Sequence, residues 1–171
     1  MKFTASAASP LKIKADCIIF LSKGNLDYEL KNLDETLRDQ FTELLKATNF
    51  TSEKGGLKHI YTPTLAFKQT LLVGIEGEID KQKEISVIES AAEQCVRVGA
   101  GKILWLDCVK ESELSWMGSM IAQKMLRASY KFKHESKKES KAPFEVIYWV
   151  KDQINITPAQ SGLNFGAAVG A

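Results

Sequence analysis

Short apolar runs alternate with amphipathic stretches along this chain, and the alternation sets its expected architecture. Ala15 to Leu21 (ADCIIFL) is a β-branched and aromatic run closed by Ser22-Lys23-Gly24-Asn25, which predicts a strand ending in a turn. From Asp34 the apolar positions Leu37, Phe41, Leu44 and Leu45 recur at helical spacing, and Asp34 can accept hydrogen bonds from the first free amides. An amphipathic helix ending near Asn49 follows. Gly55-Gly56 opens an extended piece from Leu57 to Tyr61, Pro63 interrupts it, and Phe67 to Ile75 resumes as a strand broken by Gly74 and Gly77. Glu84 to Val98 then gathers Ile85, Ile88, Ala91, Ala92, Cys95 and Val96 on one helical face, with Gly99 as its C-terminal cap.

Lys102 to Cys108 (KILWLDC) is nearly continuous in apolar residues, as a central strand covered on both faces should be. A further amphipathic helix spans about Glu113 to Tyr130, with Leu114, Met117, Ile121, Met125 and Leu126 inward, and a lysine-rich loop separates it from a final strand, Phe144 to Val150. Parallel strands need long crossovers to return, so strands alternating with helices of this length predict a mostly parallel sheet in a three-layer α/β/α sandwich. The tail from Thr157 to Ala171 reads as the opening of a helix, because Pro158 suits a first-turn position where its missing amide is not needed. Gly162, Gly166 and Gly170 fall on one face of it. Glycine costs roughly 1 kcal/mol against alanine in a helix interior, so the stripe implies a closely approaching neighbour, expected to lie outside this chain.

At 171 residues and 44% hydrophobic the chain has the length of one self-sufficient domain. With 23 basic and 21 acidic residues its net charge of +2 sets up no strong field toward nucleic acid or an anionic membrane. The one local cluster runs from Lys131 to Lys141 and is interrupted by Glu135 and Glu139, the pattern of a solvated polar loop. Cys17, Cys95 and Cys108 are odd in number and lack metal-ligand spacing, so they read as buried thiols in a reducing compartment. No apolar run approaches membrane-spanning length and Met1 to Pro10 has no leader character, which makes the cytoplasm the expected location.

Catalytic chemistry is thin. His59 lies in an extended run and His134 in the charged loop, neither with a partner nearby in sequence, and no GxSxG, HExxH or P-loop pattern occurs. Asp16 and Asp107 flank strand ends, where α/β proteins place ligand contacts, although each also suits a cap or turn. Gly24, Gly55-Gly56, and Gly74 with Gly77 could cradle an anion through backbone amides, but Glu76 and Glu78 would repel a phosphate at the last. No catalytic, cofactor-binding or metal-ligating residue is assigned.

Three segments occur in a telling order: Thr70-Leu71-Leu72-Val73-Gly74-Ile75-Glu76-Gly77 before an acidic helix, then Lys102-Ile103-Leu104-Trp105-Leu106, then Leu126-Arg127-Ala128-Ser129-Tyr130-Lys131-Phe132-Lys133. The ordered set resembles the N-terminal domain of the leucyl (cytosol) aminopeptidase family. That resemblance implies a macro-domain-like sandwich over residues 1–156, with 157–171 opening a linker helix to a catalytic domain of the same polypeptide. It also implies a parent that removes N-terminal residues from peptides, usually as a hexamer, with two divalent metals, zinc or manganese, activating water and polarising the scissile carbonyl. The family's metal ligands fall in motifs such as NTDAEGR, which this chain lacks. The implied role is therefore non-catalytic, in oligomer assembly and access to the active sites.

Two other classes stay open. Lys14-Ala15-Asp16-Cys17-Ile18-Ile19 resembles the start of the ADP-ribose-binding macro motif, in which an aspartate reads the adenine, but Phe20, Leu21, Ser22 and Lys23 depart from it. A DNA-binding regulatory role, known for some bacterial members of the aminopeptidase family, would fall to Lys131, Lys133, Lys137, Lys138 and Lys141.

Overall fold

The computed structural model describes residues 1–24, 26–51, 56–61, 67–75, 80–107, 109–135 and 143–170. Six strands form one sheet: β1 (Lys2–Ser6), β2 (Cys17–Ser22), β3 (Gly56–Tyr61), β4 (Gln69–Gly74), β5 (Lys102–Asp107) and β6 (Glu145–Trp149). Their spatial order is β1-β6-β5-β2-β4-β3. Every neighbouring pair is parallel except β3 with β4, which is antiparallel. The helices are α1 (Leu26–Lys31), α2 (Glu35–Thr48), α3 (Lys81–Arg97), α4 (Leu114–Glu135) and α5 (Ile156–Gly170).

Alternation along the central strands divides the core in two. Cys17, Ile19 and Leu21 of β2 join Ile103 and Trp105 of β5 in a cluster with α3, α4 and α5, while Ile18 and Phe20 join Leu104 and Leu106 in a second cluster with α1 and α2. All six residues of β2 are buried, which is why that run carries no polar alternation. The three-layer sandwich with a mostly parallel mixed sheet is thus the observed fold.

Local signals act as their chemistry dictates. The Asp34 carboxylate accepts the Leu37 amide at 3.0 Å to start α2, and Asp80 does the same for the Lys83 amide at 2.8 Å to start α3. Asn49 ends α2 in the left-handed region (φ 51°), and Gly99 follows α3 at φ 73°.

Other expectations need correcting. The run from Lys131 to Glu135 is the last turn of α4, not loop, held there by an ion pair from Lys131 to Glu93 on α3 at 3.0 Å. His134 therefore lies in a helix, its ring 4.3 Å from that of Tyr130. Strand β1 and the short α1 had no counterpart in the sequence reading. Gly55, Pro63, Gly77, Cys108 and the remainder of the lysine-rich segment, 136–142, lie outside the described residues.

The largest correction concerns the glycine stripe, whose neighbour is this chain's own α4. A Cβ on Gly162 would lie 2.0 Å from the Ser115 carbonyl oxygen, and one on Gly166 would lie 2.2 Å from that of Ser119. Gly118 of α4 returns the fit, since a Cβ there would meet the Ala159 carbonyl at 2.7 Å. Backbone meets backbone across this seam, while Ala159 and Leu163 are fully buried beside it. Gln160 then ties the helix to the sheet edge: its Oε1 accepts the Ala5 amide at 2.8 Å and its Nε2 donates to the Phe3 carbonyl at 3.1 Å. The side-chain amide takes the place of a next strand along β1.

Because the obstructing atoms are backbone, Gly162→Ala and Gly166→Ala are expected to destabilise the fold by about 1–3 kcal/mol, the usual cost of overpacking, despite alanine's better helix propensity. Gly170→Ala, whose added carbon would lie 3.1 Å from Gln123 Cα, should stay within about 0.5 kcal/mol of the parent. Urea unfolding followed by circular dichroism measures all three; indistinguishable midpoints would contradict the close approach.

Candidate functional site

The carboxyl ends of the buried strands β5 and β6 open onto a cavity of about 230 Å³. Its wall comes from four places in the chain: Tyr28 and Asn32 in and after α1; Asp107, Val109, Lys110, Glu111 and Leu114 from the end of β5 to the start of α4; Trp149 to Asp152 at and after the end of β6; and Asn155 before α5. This is where parallel α/β sheets bind ligands, because the strands end there and helices begin.

Asp107 is the chemically distinctive group. It is only 6% exposed. Its Oδ1 accepts the Tyr148 hydroxyl at 3.1 Å and the Val109 amide at 3.3 Å, whereas the buried Oδ2 has no hydrogen-bond partner among the described residues. Burial pushes its pKa up to about 7, against the opposing effects of the Val109 amide, the Tyr148 hydroxyl and the Lys23 charge, while Glu29 adds a repulsive charge. Half-ionised near neutral pH, the group can either donate or accept a proton in a hydrogen bond.

A satisfied charge network lies at the same edge. The Lys23 ammonium pairs with Glu84 at 2.5 Å and Glu113 at 3.5 Å, and Lys81 pairs with Glu113 at 2.9 Å and Glu84 at 3.4 Å. Lys81 also sits 3.9 Å from the centre of the Trp116 ring. The Lys81 hydrogen bond holds the Glu113 carboxyl below its ordinary range. The Lys23 amide meanwhile donates to Glu29 Oε1 at 2.9 Å, fixing the turn after β2.

Asp16 and Asp107, paired in the sequence reading as strand-end carboxylates, are at opposite edges of the sheet. Asp16 Oδ2 accepts the amides of Gly101 and Lys102 at 3.1 and 2.9 Å, so it holds the entry to β5 as a turn residue. Gly24 (φ 111°) is in the turn after β2, Gly56 opens β3 and Gly74 ends β4. His59 on β3 shares a hydrogen bond with Gln69 Oε1 at 2.9 Å. Cys17 and Cys95 are buried together in the larger core cluster. The cavity wall itself, Asn32, Lys110 and Lys151 included, carried no sequence signal, because its residues converge from four loops that share no motif.

The pH dependence of stability follows from Asp107. Between its ordinary value of 3.8 and about 7 the folded state keeps a proton that the unfolded state has released. Its contribution is therefore fully present below pH 3.8, falls as pH rises toward 7, and is flat above that. Asp107→Asn should remove this decline, so the variant gains stability relative to the parent across the window, by on the order of a few kcal/mol. Parallel stability curves for the two proteins, measured by denaturant unfolding at a series of pH values, would contradict this assignment.

Comparison with known proteins agrees with this geometry. Residues 18–139 match the model of the cytosol aminopeptidase family, N-terminal domain. No curated protein sequence matches the chain. Among solved structures, a mutant of tomato leucine aminopeptidase superposes with a TM-score of 0.67 at 14% identity, covering 95% of this chain and 35% of that one. The Trypanosoma brucei macrodomain in complex with ADP-ribose gives 0.56 at 14% identity, over 92% of this chain and 67% of that one. The Oceanobacillus iheyensis macrodomain with ADP gives 0.53 at 11%, over 94% and 89%. At these identities the structural likenesses establish a shared macro-like sandwich, and the chain spans about a third of the tomato enzyme's length. With well over half of its residues matched to the family model, the chain belongs to the cytosol aminopeptidase family and carries that family's N-terminal domain.

Proposed function

We propose that this chain is the non-catalytic N-terminal module of a leucyl aminopeptidase, serving assembly of the parent oligomer and access to its active sites. The family match over residues 18–139 is the observation that carries the reading. On it, residues 1–156 form the module and 157–171 begin the connection to a catalytic domain of the same polypeptide, with a hexamer and two zinc or manganese ions as the parent's expected form, in the cytoplasm. Helix α5, seated on α4 and hydrogen-bonded to β1, would give that connection a fixed origin. Among the described residues no three His, Cys, Asp or Glu side chains gather closely enough to hold a metal ion, and no helix is long and apolar enough to cross a membrane.

A macro-like nucleotide-binding role is the second reading, favoured by the cavity at the carboxyl edge and by structural neighbours described as complexes with ADP and ADP-ribose. Two observations weigh against it. Asp16 is occupied by the Gly101 and Lys102 amides at the opposite edge, and about 230 Å³ falls below the roughly 300 Å³ at which sites for drug-sized ligands begin. For the DNA-binding alternative, Lys131 is already paired with Glu93.

Leucyl-p-nitroanilide incubated with the chain and manganese or zinc should show no turnover above the blank; turnover proportional to protein concentration would overturn the non-catalytic reading. Because its two core clusters are complete without a partner, the isolated chain should elute as a folded monomer in size-exclusion chromatography. A stable multimer would place assembly contacts within this domain alone.

A further inference from the structure

Helix α1 is six residues long, too short to persist on its own, and Glu29 and Leu30 are its only buried residues. One of its two anchors is thus an acid. Glu29 lies close enough to Asp107 for its charge to oppose ionisation of that group, and both side chains are buried. The two carboxyl groups are tied to different parts of the framework. Glu29 Oε1 accepts the Lys23 amide from the turn after β2, whereas Asp107 Oδ1 accepts the Tyr148 hydroxyl of β6 and the Val109 amide. Helix α1 also carries Tyr28 in the wall of the cavity beside Asp107, with Asn32 just beyond the helix end.

Protonated and ionised Asp107 place different demands on this corner. The neutral form leaves Glu29 undisturbed. The ionised form sets a second negative charge near it, and Lys23, whose charge favours that form, is already paired with Glu84 and Glu113. Asp107 Oδ2 is buried without a partner among the described residues, so its charge has neither donor nor water in the closed arrangement. Holding α1 down from outside is a single exposed tie, from the Lys151 ammonium to Asn32 Oδ1 at 2.9 Å. The other charges around the cavity, Lys110, Glu111 and Asp152, are exposed and screened by solvent.

We propose that Asp107 and Glu29 form a pH-operated latch: α1 closes on the cavity while Asp107 is protonated, and swings outward to admit water when Asp107 is ionised. The closed state keeps its proton up to about pH 7 because Asp107 is buried there, whereas a hydrated aspartate releases it near 3.8. Between those values each rise in pH favours the open state, by up to about tenfold per unit. Above 7 both states are ionised and the balance is level. The latch uses this chain's own residues and stands independently of the aminopeptidase reading.

Hydrogen exchange of the whole chain, read by mass spectrometry and corrected for the intrinsic effect of pH, tests it. Protection of α1 should fall by at least about tenfold between about pH 5 and about pH 7, then stay level to about pH 8. The opening should also be local. In urea well below the unfolding midpoint, exchange in α1 should keep its rate while exchange in α3 quickens. Asp107→Asn, which cannot ionise, should remove the pH dependence of α1. Glu29→Gln, which keeps an acceptor for the Lys23 amide, should make the fall smaller, and it decides the matter if the Asp107 variant fails to fold. Protection of α1 that ignores pH, exchange in α1 that follows urea as α3 does, a folded Asp107→Asn that retains the fall, or a Glu29→Gln profile equal to the parent's would each overturn the proposal.

Discussion

A strand buried on both faces has room for polar chemistry only where it stops. That constraint, imposed by β2 between β4 and β5, organises the molecule. It forces helices onto both sides of the sheet, because neither face of β2 can be left to water. It also sorts the ionisable groups by edge. At the amino edge a carboxylate needs only to organise a turn, and Asp16 does so with two backbone amides. At the carboxyl edge the strands give way to turns that lead into helices, and there the buried acids Glu29, Glu84 and Asp107 collect.

Those three acids differ in their partners. Glu84 is paired with two lysines, and Glu29 Oε1 accepts the Lys23 amide. Among the described residues Asp107 accepts hydrogen bonds at Oδ1 alone, and Lys23, whose charge favours its ionised form, is committed to Glu84 and Glu113. A buried carboxylate with half its acceptor capacity unused is costly. Burial rather than a matched charge therefore sets the protonation of Asp107.

Much of this was legible in the sequence, for identifiable reasons. The runs CIIFL, KILWL and FEVIYW announce central strands because burial on two faces leaves no polar alternation, and Asp34 and Gly99 mark helix ends by local chemistry. Strand β1 was illegible because its stability is not its own: five residues, mostly half-buried, that exist as a strand through pairing with β6 and through Gln160 more than a hundred and fifty residues away. The glycine stripe was recognised, yet its neighbour was sought outside the chain. Its complement on α4, Ser115, Gly118 and Ser119, lies on a helix whose large apolar residues dominate the pattern, and small residues facing one another across forty positions leave no periodic trace. The cavity was half legible. Asp107 stood out at a strand end, whereas Lys110, Asn32 and Lys151 acquire meaning only when the turns converge.

The same distinction bears on how family and fold each inform function. The macro-like sandwich is shared with macrodomains at 9–14% identity, so the fold alone places this chain among proteins of unlike activity. What differs is what each edge does with its polar groups. In this chain the turn after β2 is occupied by Lys23 and closed by Glu29, and the charge network to Glu84, Glu113 and Lys81 fills the space beyond it. A long anionic ligand lying across the strand ends would bring its own negative charge to two ion-paired acids, Glu84 and Glu113. The carboxyl ends of these strands are thus set by this chain's own ion pairs, whatever the sandwich beneath them has in common with its structural neighbours.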